Sequence, residues 1–362
     1  MKKISLCVTN NLVYDQRMHR ICVSLQNAGY QVTLIGRSLG DKNETVPLPF
    51  DHVRLHCFFR KKAFFYAEFN IRLFFYLIFS MQDIICANDS DTLPACSLAA
   101  WLKKKILVFD AHEYFIEVPE LEKRNLVRMI WHILTKVFIR KSKLCYTVSQ
   151  SLAKELSKVY HKKFEVIRNV PSLDETVSNE YQNQKGQYIL YQGAVNKGRG
   201  LEVLIDAMEE IDLQLIIAGG GDILDELKRR AEEKKLDQKV IFMGYLMPEE
   251  IKPLTKNAFI GYNLLENYSK SYYFSLSNKF FNYMHAGIPS LSNDFPEYSM
   301  IIEQLQCGLL VDLEKNAIVN AVKKLQQDET FYQKLRLNSL HAAREYCWQK
   351  EEQNLLKFYS EL

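Results

Sequence analysis

Residues 277–303 read SNKFFNYMHAGIPSLSNDFPEYSMIIE, and the rest of the chain is organised around them. Asn278 is placed to cap a helix whose interior runs from Lys279 to His285. Gly287 supplies a left-handed stop, and Pro289 follows where a helix no longer continues. Residues 290–292 read as a short strand, and Asn293-Asp294 as a turn into a second helix near Phe295. Two helix N-termini therefore open at neighbouring loops, each with backbone N–H groups free for an anion. Lys279 falls in the first turn of the first helix, where a cation opposes the helix dipole and costs about 0.3–1 kcal/mol unless an anion meets it. Such a charge is misplaced in a purely structural helix–turn–strand and well placed in a phosphate site.

Outward from this stretch the same alternation repeats. Short apolar runs at 188–192, 213–218, 240–244, 259–262, 290–292 and 309–311 read as strands with helices between them. An earlier series lies at 3–9, 31–36, 52–58, 83–87, 106–110, 144–148 and 164–167. Strands alternating with helices imply parallel sheets covered on both faces. Residues 171–187 separate the series; they are polar, rich in Ser, Asn, Gln and acid, and read as a linker. The expected organisation is α/β, two doubly wound Rossmann-like domains: 1–172, a linker at 173–187, a second domain at 188–345 and a closing helix at 346–362.

Composition supports a globular chain: of 362 residues, 48% are hydrophobic and 25% charged. Eight cysteines without a CxxC pair read as reduced core thiols in a reducing compartment. The apolar part of MKKISLCVTN is too short for a signal peptide, and no run reaches the ~18 apolar residues that span a bilayer. Charge is uneven: residues 1–170 hold 26 Lys+Arg against 15 Asp+Glu (+11), and the remainder 21 against 28 (−7). A basic half suggests an anionic surface or ligand. No nucleic-acid-binding motif accompanies it, so nucleic acid is not expected as a partner.

The loop after the first strand, NNLVYDQRMHR, contains no glycine, which weakens a dinucleotide-binding reading. In the second half, YQGAVNKGRG places Gly193, Gly198 and Gly200 around Arg199 just ahead of a helix, a combination suited to a diphosphate. Arg199 offers the bidentate phosphate contact that lysine lacks. AGGGD at 218–222 is a weaker, strand-to-helix signal. DAHEYF at 110–115 puts polar groups at a strand end, where such sheets hold their ligands. Asp89 closes the preceding strand similarly, and Asp15 and Arg17 lie in the first loop and helix. Glu297 sits at a helix start, where an acid is favourable to the dipole by itself. No DxD pair and no His/Cys cluster at ligand spacing is present, so no metal is expected.

The 277–303 stretch resembles the donor-site signature of family-4 glycosyltransferases, retaining enzymes of the GT-B fold that carry P-x-K-x-x-E-Y-x-x-x-G-x-P. Lys279, Tyr283, Gly287 and Pro289 match; Ser277 replaces the proline, and Asn282 the glutamate that holds the nucleotide ribose. Ala194 also stands where the family commonly has arginine, with Arg199-Gly200 in place of its Lys-Gly pair. The resemblance implies two domains facing across a cleft, with the final helix packing back on the first. It implies a nucleoside-diphosphate-sugar donor as co-substrate, no cofactor, and a glycan or lipid-linked acceptor in bacterial-type surface polysaccharide assembly. His112, Arg199 and Lys279 become the expected catalytic residues. Gly193, Gly198, Gly200, Gly220, Gly244, Asn278, Asn282, Tyr283 and Glu297 become the expected donor contacts, and Asp15, Arg17, Asp89 and Glu113 the acceptor side. Two rivals remain: a nucleotide-sugar epimerase of the same fold, and a non-catalytic sugar-nucleotide-binding protein, which Ala194 and Asn282 encourage.

Two helical segments carry a further expectation. Residues 60–82 open with three cations and continue in aromatics, and residues 121–143 hold seven cations and one acid interleaved with Leu, Ile, Val and Trp131. Both suit helices in an anionic membrane interface, and equally core-facing helices with a solvated basic face. The expected location is cytoplasmic, peripheral on the inner face of the membrane.

Overall fold

The computed structural model describes residues 1–13, 15–38, 47–122, 124–173 and 187–362. The expected linker at 173–187 thus lies, but for its two end residues, outside the described residues. The chain divides into two compact units: residues 1–169 with 269–271 and 350–362, and residues 170–268 with 272–349.

The first unit holds β1 (Lys3–Cys7), α1 (Gln16–Asn27), β2 (Gln31–Ser38), β3 (Asp51–His56), α2 (Lys62–Phe79), β4 (Ile84–Asn88), α3 (Leu93–Lys103), β5 (Ile106–Ala111), α4 (Asn125–Phe138), β6 (Leu144–Thr147), α5 (Gln150–Tyr160) and β7 (Glu165–Val166). Its seven strands run in the order β3-β2-β1-β4-β5-β6-β7, every described pairing parallel. β4 is buried along its whole length, which is why such strands read as unbroken apolar runs. Strand order reverses between β1 and β4, and the carboxyl ends at such a reversal form the crevice where doubly wound sheets bind ligands.

The second unit holds β8 (Tyr188–Gln192), α6 (Leu201–Ala207), β9 (Gln214–Ala218), α7 (Leu224–Glu233), β10 (Val240–Gly244), α8 (Pro248–Lys256), β11 (Ile260–Asn263), α9 (Lys270–Tyr273), α10 (Asn278–His285), β12 (Ser290–Ser292), α11 (Pro296–Leu305), β13 (Gly308–Leu310), α12 (Lys315–Gln327) and α13 (Glu329–Glu345). Of these, α9 contributes its first two residues to the first unit. The sheet order is β10-β9-β8-β11-β12-β13, again parallel, with its reversal between β8 and β11. The closing helix α14 (Trp348–Ser360) belongs from Lys350 onward to the first unit. There Tyr359 is fully buried with its hydroxyl 3.4 Å from that of Tyr146, and Glu351 pairs with Arg168 at 3.0 Å. All eight cysteines are free and buried, as core thiols.

One expectation about the organising stretch is corrected. Helix α10 begins at Asn278, so its cap is the preceding residue: the Ser277 hydroxyl accepts from the Phe280 amide at 3.4 Å. Gly287 takes the left-handed conformation expected of it, with φ 66°, and α11 starts after Phe295.

Candidate functional site

At the reversal of the second sheet, two cations come together without an acid. Arg199 follows the β8 loop, and its guanidinium carbon lies 4.8 Å from the ring centre of Tyr272. Lys279, in the first turn of α10, places Nζ 4.6 Å from the ring centre of Tyr191. Lys279 is only 8% exposed, and Tyr191 is fully buried beneath it. Among the described residues neither cation has an ion-pair partner, and Arg199 Nε is buried without a hydrogen bond. Burial drives the Lys279 pKa well below the ordinary lysine value, and the charge of Arg199 pushes the same way. Two like charges held over aromatic faces, one of them buried, are electrostatically incomplete, and a multivalent anion would complete them.

The surrounding backbone is shaped for close approach. Gly193 is exposed at the end of β8 and donates to the Ala218 carbonyl at 2.9 Å. A Cβ at Gly219 would fall 1.8 Å from the Gly193 oxygen, so glycine is required where the ends of β8 and β9 touch. Gly220, the middle glycine of the three, faces open space, as does Gly244 after β10. Gly198 lies against Tyr268, while Gly200 caps α6 in the left-handed region (φ 64°) and its carbonyl accepts from Tyr262 at 2.7 Å.

The loop into α10 is set by a buried amide network that sequence reasoning missed. Ser277 Oγ donates to Asn263 Oδ1 at 2.6 Å, Asn263 Nδ2 to Ser292 Oγ at 3.1 Å, and the Ser277 amide to the Tyr298 hydroxyl at 3.0 Å. Asn293 brackets the Leu265 backbone with both halves of its amide. These bonds fix the direction in which α10 starts, and hence where Lys279 points. Tyr191 and Tyr272 were missed too; Tyr191 ends an apolar strand and reads from sequence as core.

The remaining donor residues divide. Asn278 opens the helix, and Asn282 is half-buried one turn beyond Lys279. Tyr283 is corrected: it is fully buried, its hydroxyl donates to Leu190 O at 3.0 Å and accepts from Gln192 N at 3.3 Å, and Gly261 leaves room for its ring. That side chain pins α10 to the sheet and is not available to a ribose. Glu297 is 1% exposed in the first turn of α11, where the helix dipole favours its charge.

The first unit holds a separate charged cluster at the ends of β4 and β5. His112 Nε2 lies 3.0 Å from Asp110 Oδ2, its Nδ1 3.5 Å from Asp89, and its backbone amide donates to Asp89 at 2.8 Å. Burial alone would lower the imidazole pKa; Asp110, and then Asp89, overcome it and push the value up to about 9. Asp89 holds its position with φ 60° in the left-handed region. Nearby, Asp91 accepts from the Thr9 hydroxyl, and burial together with the charge of Asp89 pushes its carboxyl up to about 7. Arg17 is corrected: it is 3% exposed, forks onto Asp110 at 2.9 and 3.2 Å and donates to Ile167 O, so it braces the cluster from within. Asp15 caps α1 by accepting from Met18 N at 3.1 Å. Glu113 is exposed next to His112. Among the described residues no cluster of three or more His, Cys, Asp or Glu side chains could hold a metal ion.

Comparison with known proteins follows the same division. The model described as Glycosyltransferase Family 4 matches residues 16–174, and that described as Glycosyl transferases group 1 matches residues 174–342. The uncharacterized glycosyltransferase YqgM of Bacillus subtilis is 25% identical over 181 residues, covering 48% of this chain and 49% of that protein. The O-antigen chain mannosyltransferase C of Escherichia coli is 36% identical over 63 residues, 17% of each chain. The aligned part thus spans about half the length of the first relative and less than a fifth of the second. Among solved structures, Anabaena HepE in complex with UDP-glucose superposes with a TM-score of 0.77 at 15% identity, over 100% of both chains.

Proposed function

The chain belongs to the group 1 glycosyltransferases of family 4, with their GT-B fold, and from that premise we propose that it transfers a sugar from a nucleoside-diphosphate sugar to a glycan or lipid-linked acceptor. The observation that carries the reading is the pair Arg199 and Lys279, two cations with no acidic partner among the described residues, seated over Tyr272 and Tyr191. As the bond from the anomeric carbon to the diphosphate breaks, its electron pair and charge go to the leaving diphosphate. Both cations, with the open backbone at Gly193 and Gly220, meet that charge as it grows. The acceptor hydroxyl forms the new bond to the anomeric carbon and passes its proton to an oxygen of the departing diphosphate. We assign the His112 cluster of the first unit to the acceptor, and propose that the anomeric configuration is retained.

The reading is supported by the UDP-glucose in the HepE complex and by the O-antigen chain in the name of the Escherichia coli relative, and a part in surface polysaccharide synthesis belongs to the same proposal. The test is mass spectrometry of nucleotides retained on the purified protein, then a donor panel with product analysis. Transfer to an acceptor bears it out. Isomerised sugar nucleotide, or binding with neither outcome, overturns it in favour of an epimerase or a binding protein.

A further inference from the structure

Helix α4 turns an apolar stripe outward. Its apolar residues recur at helical spacing through Leu126, Ile130 and Ile133, yet these face solvent at 66%, 46% and 51% exposure, and the one fully buried residue of the helix is the polar Thr135. An amphipathic helix at the edge of a domain normally turns that stripe to the core. The exposed surface continues beyond α4. Helix α3 packs between α2 and α4 and exposes Trp101, α2 exposes Phe75 and Phe79, and the Tyr66 and Trp131 rings, 5.4 Å apart, join α2 to α4 directly. Exposed apolar area on this scale marks an interaction surface.

Charge identifies the occupant. Helices α3 and α4 contain no acid, and the single acid of α2, Glu68, is engaged by Arg72 at 2.8 Å. Arg124, Lys136 and Arg140 flank the α4 stripe as exposed cations, and Lys141 lies over the Trp101 ring at 4.9 Å. A second copy docked on this face by two-fold symmetry would bring the same cations against each other. An anionic bilayer meets the aromatic, aliphatic and cationic components at once. Among the described residues no helix is long and apolar enough to cross a membrane, so the face would lie on the bilayer.

We propose that the face formed by α2, α3 and α4 docks the first unit onto an anionic lipid surface, with the α4 stripe inserted at the level of the headgroups. This deepens the proposed function by pointing to the lipid-linked class of acceptor. Binding is measured without any sugar nucleotide, so the surface and the transfer reaction fail independently.

The experiment is co-sedimentation of the full chain with phosphatidylcholine vesicles, with and without phosphatidylglycerol, at low and high salt. The expected result is pelleting with the anionic vesicles only, weakened by salt, with each flanking cation contributing about fivefold to the partition. The double substitution Ile130→Asp, Ile133→Asp should reduce that partition more than about tenfold while leaving the melting temperature and transfer to a soluble acceptor unchanged, because both residues are solvent-exposed. Equal recovery in the supernatant with both vesicle types overturns the proposal. So does a concentration-dependent dimer in sedimentation velocity that the same double substitution abolishes, which would assign the face to a second copy.

Discussion

Asp110 divides one carboxylate between two cations: Oδ2 lies 3.0 Å from His112 Nε2, and Oδ1 lies 2.9 Å from Arg17. With Asp110 fully buried, both contacts act in a low dielectric. His112 is therefore an imidazolium through neutral pH, its pKa raised to about 9 by Asp110 and Asp89 against burial. The folded value exceeds the unfolded value of about 6.5, so the stabilisation is complete below about pH 6.5 and disappears as pH rises through about 9. We expect a loss on the order of 3 kcal/mol across that window, read from urea midpoints, and a flat profile in His112→Gln. A wild-type profile equally flat would mean that the imidazole is neutral.

Lys279 should show the opposite balance of function and stability. Its folded pKa is lowered, so at neutral pH the unfolded chain holds this proton more readily and the buried charge costs stability. Lys279→Met should raise stability by about 1 kcal/mol in thermal melts of the ligand-free protein. It should also lower kcat by about 10²–10³, as should Arg199→Ala. Unchanged turnover in both variants would place the diphosphate elsewhere.

Asn282 stands three residues after Lys279 and shares its helix face. A carboxylate there accepts from two ribose hydroxyls with charge-assisted bonds, whereas an amide offers one neutral oxygen. Asn282→Glu should lower the donor KM or Kd by up to about tenfold. Loss of nucleotide binding in this variant would remove Asn282 from the ribose.

The three consecutive glycines after β9 should differ sharply on substitution. Gly219→Ala sets a methyl 1.8 Å from the Gly193 carbonyl with φ at 155°, and should cost more than about 2 kcal/mol and spoil donor binding. Gly220→Ala meets no atom within 4 Å and should leave stability within about 0.5 kcal/mol. Urea titration of the two variants checks the contrast.

Turnover should persist in EDTA, because the side-chain charges of Arg199 and Lys279 supply the counter-ion for the diphosphate. A loss of activity restored by magnesium or manganese would assign that role to a metal.

Both sheets were legible in the sequence because their central strands are buried on both faces and so read as contiguous apolar runs, β4 and β8 most plainly. Lys279 and Arg199 were legible because a cation at a helix start or in a glycine loop is locally unfavourable without an anion. Tyr283 was misread because a motif position does not reveal which way its side chain points; here it turns under β8. His112 carries no sequence sign that two carboxylates from neighbouring strand ends enclose it. Helical periodicity in α4 disclosed an apolar stripe, but periodicity has no direction, and only packing shows that the stripe faces outward.

The assignment of residues 350–362 to the first unit sets a timetable for biosynthesis. The β-strands of that unit are complete by Val166, yet Arg168 waits for Glu351, and Tyr146 for Tyr359, until all of the second unit has been translated. The nascent first unit therefore spends the synthesis of about 180 residues with a buried tyrosine site unfilled, a period in which chaperones have something to hold. The unit begun first is the unit finished last.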